Sequence, residues 1–234
     1  MTIHTIMMVR NESGRYLENA LRTAWQIQNL AGGSIIVTDD ASDDDTVEIC
    51  KRWTRRVQRT DEPLFWKNEG QARQRHLNYV AQWVEPGDWV LSLDADETIN
   101  DAEKLVRATE RVRPNDVAIG LPLYEFWSPD QYRTDGFWFG TSATRLFRWQ
   151  EGARIADKEM ACGSEPTYVQ AAVHRGDWFP QNEAHLLHWG YLRIADRQRK
   201  HALYSERLGG HGHNDRHIAS IIQQPRLERY AGLS

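Results

Sequence analysis

The sequence predicts an α/β fold: one domain over 1–234, with a mixed, mostly parallel sheet flanked by helices. Three observations predict it. The first hundred residues alternate short β-rich runs with helical periodicities, the order that builds parallel sheets through right-handed crossovers. Asp88-Trp89-Val90-Leu91-Ser92-Leu93 is nearly continuous in apolar character, as expected of a strand covered on both faces. Three polar turns, Arg10-Asn11, Asp39-Asp40 and Asp94-Ala95-Asp96, follow strands, at the sheet edge where such folds bind ligands.

Ile3 to Val9 is the first strand, and Arg10-Asn11-Glu12-Ser13-Gly14 the turn after it. Arg15 to Asn29 is a helix, because Leu17, Ala20, Leu21, Ala24 and Ile27 recur at helical spacing and Gly32-Gly33 closes it. Ser34 to Thr38 is the second strand. Ser42 or Asp43 caps a helix running to about Trp53. A weak third strand lies around Arg56 to Arg59. Gln71 to Val84 is a helix with Leu77, Val80, Ala81 and Val84 on one face, and Pro86-Gly87 turns the chain into the fourth strand. Asp101 to Val112 is a helix ended by Pro114. Val117 to Phe126 and Thr144 to Trp149 are strands, with an aromatic, Asp- and Gly-rich loop over the site between Ser128 and Gly140. Tyr191 to Leu208 is a helix with Ile194, Arg197, His201, Tyr204 and Leu208 along one side. The tail after Gly209-Gly210 is polar except at Ile218 to Ile222.

A net charge of −4 provides no global basic field for nucleic acid. Arg193, Arg197, Arg199 and Lys200 form a local basic stretch that reads first as a solvated helix face, and second as a site for an anionic acceptor. Cys50 and Cys162 lack metal-ligand spacing and read as reduced thiols in a cytoplasmic protein. No apolar run is long enough to span a membrane. The start, Met1 to Val9, reads as a strand and not as a signal peptide. Of ten tryptophans, Trp66, Trp83, Trp89, Trp127, Trp138, Trp149 and Trp178 lie between 60 and 180. Core packing accounts for most of them, and an acceptor cleft could use some. The absence of G-x-G-x-x-G after the first strand argues against a dinucleotide site.

Asp94 and Asp96 leave the fourth strand on the same side, with Ala95 turned away. Paired carboxylates at the end of a buried strand need a cation. Mg2+ or Mn2+ suits them, since such ions take one or two carboxylates and keep their other positions for water or phosphate. An isolated D-x-D is more often a solvated turn that caps a helix.

The surrounding motifs make the difference. Arg10-Asn11-Glu12 with Tyr16-Leu17, the run Val37-Thr38-Asp39-Asp40-Ala41-Ser42-Asp43-Asp44-Asp45-Thr46, Gly70-Gln71-Ala72-Arg73, and Asp88 to Glu97 occur in that order. Together they resemble the family 2 glycosyltransferases of the GT-A, Rossmann-like fold. Arg145-Leu146-Phe147-Arg148, then His188-Trp189-Gly190-Tyr191 with Lys200, resembles the small bacterial and phage members related to lipopolysaccharide sugar transferases.

The resemblance implies a metal-dependent, inverting transfer from a nucleoside-diphosphate sugar, a UDP-sugar first, to an acceptor hydroxyl. It implies donor contacts at Val9, Asn11, Glu12, Asp39, Asp40, Arg73, Asp94 and Ala95, with Asp40 on the base. It implies Mn2+ or Mg2+ at Asp94, Asp96 and His188. His185 competes with His188, and His211, His213 and His217 read as solvated. The catalytic base maps to Glu165, with Asp157, Glu159 and Asp135 as alternatives, because the family's His-Glu pair is Ser164-Glu165 here. A buried Glu165 paired with Arg175 or Lys158 is the structural reading of the same residue. Residues 1–100 would hold the donor, 101–190 the acceptor, and 191–234 form a C-terminal helix and tail. The acceptor classes left open are a glycan, a protein, a small molecule or a modified nucleobase, and no pattern sets an oligomeric state. A sugar-phosphate nucleotidyltransferase is the alternative within enzymes, although Arg10 to Gly14 lacks that class's basic Gly-rich loop. A non-catalytic nucleotide- or glycan-binding module is the alternative outside them.

Overall fold

A computed structural model describes residues 2–160, 163–208 and 213–232. Cys162 and His211 lie outside the described residues.

The N-terminal half carries β1 (Ile3–Val9), α1 (Leu17–Ala31), β2 (Ile35–Asp39), α2 (Thr46–Lys51), β3 (Val57–Arg59), α3 (Glu69–Val80) and β4 (Trp89–Ser92). Strands β3, β2, β1 and β4 lie side by side in that order and pair in parallel. Their two faces separate by the period-2 rule. Ile3, Met7, Ile35, Val37, Trp89 and Leu91 join the core under α1, whereas Ile6, Ile36 and Val90 meet Leu77 and Val80 of α3. The turn from α1 into β2 requires glycine at 33: φ is +87°, and a Cβ there would collide with the Ile3 carbonyl.

The second half departs from the parallel pattern. Its elements are β5 (Glu97–Ile99), α4 (Ala102–Glu110), β6 (Ala118–Ser128), β7 (Gln131–Arg133), β8 (Ser142–Arg148), α5 (Thr167–Arg175), β9 (Trp178–Pro180), β10 (Leu186–His188), α6 (Ile194–Leu208), α7 (His213–Ser220) and β11 (Leu227–Arg229). Strand β8 inserts antiparallel between β4 and β6. Strand β10 lies parallel to β6 and antiparallel to β5, which sets His188 opposite both Glu125 and Glu97. The fold is thus the expected mixed α/β sheet, parallel in its first half.

Helix boundaries moved for local reasons. The second helix begins at Thr46, not at Ser42 or Asp43, because the intervening side chains bond to the first loop. The third begins at Glu69, because Asn68 Oδ1 accepts the Gln71 N–H at 2.9 Å and caps it. The segment from Ser128 to Gly140 is not a lid over the cleft. Its Arg133 and Trp138 pack with Trp127, Tyr191 and the Ser220 region, and no residue of the segment lines the main cleft. On α6 the inward face runs through Asp196 and Lys200, while Ile194 is 65 % exposed. Of the side expected on this helix, Tyr204 lines the cleft and Arg197 donates to the Trp127 and Tyr191 carbonyls, while the Leu208 side chain lies outside the described residues. Among the described residues, no helix is long and apolar enough to cross a membrane.

Candidate active site

The carboxyl ends of β1, β2 and β4 open into a cleft of about 530 Å³. Val9, Asn11, Glu12, Asp40, Arg73, Asp94, Ala95, Asp96 and His188 all line it, as do Phe65, Trp66, Glu125, Arg145, Lys200 and Tyr204.

Two loops are stitched together before any ligand is involved. Ser42 Oγ accepts the Asn11 N–H at 2.9 Å, Thr46 Oγ1 that of Glu12 at 2.7 Å, and Asp44 Oδ2 that of Ser13 at 3.0 Å. Asn11 Oδ1 returns a bond to the Asp43 N–H at 3.0 Å. Asn11 and Ala41 sit at φ +53° and +57°, a conformation that costs a non-glycine residue on the order of 1 kcal/mol or more and that concentrates at functional sites. The serine, aspartate and threonine of the second motif therefore shape the floor of the cleft.

Asp39 is fully buried and closes this turn by accepting the N–H and hydroxyl of Ser42; it does not line the cleft. Asp40 does line it, and each of its oxygens accepts a backbone N–H, from Leu64 at 2.8 Å and Phe65 at 3.0 Å. Asp40 thereby carries Phe65 and Trp66 to the cleft wall. Arg73 lies 5.2 Å from the Phe65 ring and donates to Glu69 at 2.6 Å.

Carboxylates and cations alternate around the end of β4. Arg145 of β8 donates to Asp94 at 2.8 Å, to Glu97 at 2.7 Å, and to Ser164. Asp96 accepts from Lys200 at 3.0 Å and faces His188 Nε2 at 3.2 Å, while His188 Nδ1 meets Glu125. Burial alone would raise the Asp96 carboxyl, but Lys200 and His188 hold it well below the usual range. Burial alone would lower His188, but Glu125 and Asp96 raise it to about 10. Glu12 is different: burial raises it to about 7 against the pull of Arg15, and its Oε2 has no partner.

The donor set fits a hard divalent ion. Asp96 Oδ2 and His188 Nε2 stand 3.2 Å apart, close to the roughly 3 Å that separates neighbouring ligands of an octahedral ion with bonds of about 2.1 Å. Glu125 on the far ring nitrogen is the outer partner that ligating histidines usually have. Gly190 is not held at a positive φ, yet a Cβ there would collide with Asp96 Oδ2, His188 Nε2 and Lys200 Nζ, so glycine keeps this cradle open. Among the described residues, no three His, Cys, Asp or Glu side chains already form a metal cage. Asp94 turns to Arg145 instead.

The other candidates lie elsewhere. His185 bonds to Tyr230 at 2.6 Å and faces the Asn182 carbonyl at 3.0 Å. His217 stacks on Trp138 at 4.5 Å, and the His213 side chain is outside the described residues. Asp135 is gripped by Arg133 at 2.7 Å, and Asp157 and Glu159 are exposed. Glu165 is half-buried and accepts from Thr144 at 3.2 Å; Arg175 pairs with Asp177 at 2.9 Å instead. Glu165 does not line the cleft, but its neighbour Ser164 bonds to Arg145. Sequence reasoning missed Glu125. Its signal was a lone carboxylate in the run Leu123-Tyr124-Glu125-Phe126-Trp127.

A parallel sheet whose strand ends collect carboxylates, cations and the rings of Phe65 and Trp66 in one cleft defines an α/β domain with a polar ligand cleft at its carboxyl edge. The chain belongs to glycosyl transferase family 2, whose sequence model matches residues 5–170. It is therefore a glycosyltransferase domain. Its fold is similar to that of S. aureus TarS residues 1–349 in complex with UDP-GlcNAc, at TM-score 0.56 and 15 % identity over 95 % of this chain and 72 % of that one. The mannosyltransferase PcManGT from Pyrobaculum calidifontis, in complex with GDP-Man and Mn2+, aligns at TM-score 0.54 and 12 % identity over 88 % of this chain and 61 % of that one. A putative glucose-1-phosphate thymidylyltransferase from Bacillus anthracis aligns at TM-score 0.50 and 10 % identity over 85 % of this chain and 93 % of that one. The chain spans 42 % of a longer TarS structure that it matches at TM-score 0.52. No curated protein matches the sequence.

Proposed function

We propose that this chain moves a sugar from a nucleoside-diphosphate sugar, a UDP-sugar first, to an acceptor hydroxyl with inversion, using Mn2+ or Mg2+. The observation that carries the reading is the meeting of Asp96, His188, Lys200 and Arg145 at the end of β4, inside the cleft that Asn11, Glu12, Asp40 and Arg73 also line. TarS and PcManGT hold UDP-GlcNAc and GDP-Man on the same fold, the latter with Mn2+, which supports the donor class. Asp96 and His188 would hold the ion, with Asp94 beside them. When bound, the ion would supply positive charge to the departing diphosphate.

The protein's own groups do the rest. Phe65 and Trp66 offer flat walls for the base, and Asp40 fixes them through the backbone. Val9 and Ala95 offer close backbone approach. Glu12, with a free Oε2, faces the donor as a carboxyl that can give a hydrogen bond below about pH 7. Arg73 and Lys200 offer positive charge to phosphate oxygens. Asp39 acts by closing the turn that presents Asp40. Glu165 is assigned to take the acceptor proton, with Thr144 fixing its orientation. Residues 1–100 then form the donor half, 101–190 the acceptor half, and α6 returns Lys200 to the donor. The buried, unpaired thiol of Cys50 fits a cytoplasmic setting.

Calorimetry with UDP and Mn2+ tests the reading. Asp96→Asn is expected to weaken UDP–Mn2+ binding by at least about tenfold, the loss of one charge-assisted contact. Binding as tight as in the parent would sink the metal assignment. Release of pyrophosphate from UTP and a sugar phosphate would identify a nucleotidyltransferase instead.

A further inference from the structure

We propose that Lys200 is a placeholder cation, whose ammonium occupies the ion's position in the free protein and moves to the donor's diphosphate when the ion enters. The inference rests on the metal-dependent reading above and adds an order of events to it. The Lys200 ammonium bonds to Asp96 at 3.0 Å and contacts His188 Nε2 at 3.2 Å, the same two groups that would ligate the ion. It also lies 4.5 Å from the centre of the Tyr191 ring. The position is buried, and Glu125 adds a second carboxylate on the far side of His188. Leaving Asp96 and Glu125 there without enough positive charge would be costly. Lys200 meets that need when no ion is bound.

An ammonium 3.0 Å from Asp96 Oδ2 and 3.2 Å from His188 Nε2 fills the space that an ion held by the same two atoms would need. Entry of the ion must displace Lys200, and the displaced charge needs a new anion. A lysine stem is long and flexible, and α6 holds its root at the rim of the cleft. The cleft next to it is where a diphosphate would lie. Nucleotide therefore compensates the charge that the ion expels, so ion and nucleotide should strengthen one another's binding, as linkage requires.

The experiment measures Mn2+ binding by loss of the free-ion electron paramagnetic resonance signal, with and without UDP. Wild type should bind Mn2+ weakly alone and at least about tenfold more tightly with saturating UDP. Lys200→Met and Lys200→Gln should bind Mn2+ alone about ten- to a hundred-fold more tightly than wild type, the scale of one lost charge-assisted competitor. They should also lose most of the gain from UDP. Lys200→Arg, which keeps the charge, should follow wild type. Thermal melts establish that each variant is folded. The proposal is overturned if the neutral variants bind Mn2+ no tighter than wild type, or if Lys200→Arg behaves as they do. Wild type alone provides an independent check: ion affinity unaffected by UDP also overturns it. Absence of any UDP binding to wild type with Mn2+ present would instead overturn the transferase reading.

Discussion

Replacing Glu12 by glutamine removes one proton-linked penalty and leaves the shape of the cleft in place. Glu12 is raised from 4.5 to about 7, burial outweighing the attraction of Arg15 at 3.1 Å. Its side chain is only 16 % exposed, so solvent screens the effect weakly. The sign follows from which state holds the proton. Between pH 4.5 and 7 the folded protein keeps a proton that the unfolded chain releases, so this group's contribution to stability falls as pH rises through that window. At about 1.36 kcal/mol per unit, integrating from pH 5 to pH 8 gives a loss of about 2 to 3 kcal/mol in the parent. Glu12→Gln has no such loss. His76 has the opposite sense: it is buried, bonded to Thr38 at 2.8 Å and lowered to about 3, so stability falls as pH drops below 6.5. That contribution is common to both proteins and cancels in the difference. The assay is urea unfolding of parent and variant at pH 5, 6, 7 and 8. The stability difference should shift toward the variant by about 2 to 3 kcal/mol across that range. A difference that stays constant with pH would refute the buried, protonated Glu12. The same argument predicts weaker UDP binding to the parent above pH 7, where Glu12 becomes an anion facing phosphate.

Glu165→Gln should leave UDP–Mn2+ binding unchanged by calorimetry while transfer falls by about a hundred-fold or more, the usual effect of a lost general base; full transfer would move the base elsewhere. Gly190→Ala places a methyl group among Asp96, His188 and Lys200. It should cost about 1 to 3 kcal/mol of stability, as overpacking does, and should weaken UDP–Mn2+ binding more than tenfold. Unaltered binding would show that the cradle is not where the ion sits.

Much of the fold was legible because its signals are local. The helical spacing of Leu17, Ala20, Leu21, Ala24 and Ile27 and the apolar run before Asp94 mark elements whose burial depends on near neighbours. The second half was less legible because its strands are short and defined by partners. Leu186–His188 is a strand because Glu97–Ile99 and β6 lie on either side of it. No period is visible in three residues.

The site divides in the same way. Asn11, Glu12, Asp40, Arg73, Asp94, Asp96 and His188 line one cleft: five of them follow the ends of β1, β2 and β4 in one parallel sheet, Arg73 comes from α3, and His188 from β10. What the sequence by itself determined was therefore the α/β class, the edge at which the cleft opens, and the family. Only the tertiary structure decided which partner each charge has. It gave Asp94 to Arg145, Asp96 to Lys200, His188 to Glu125 and the hydroxyls of Ser42 and Thr46 to the first loop. Those pairings join residues 31 to 104 positions apart. Electrostatic energy depends on distance in space and on burial, and neither is encoded in the spacing of residues along the chain.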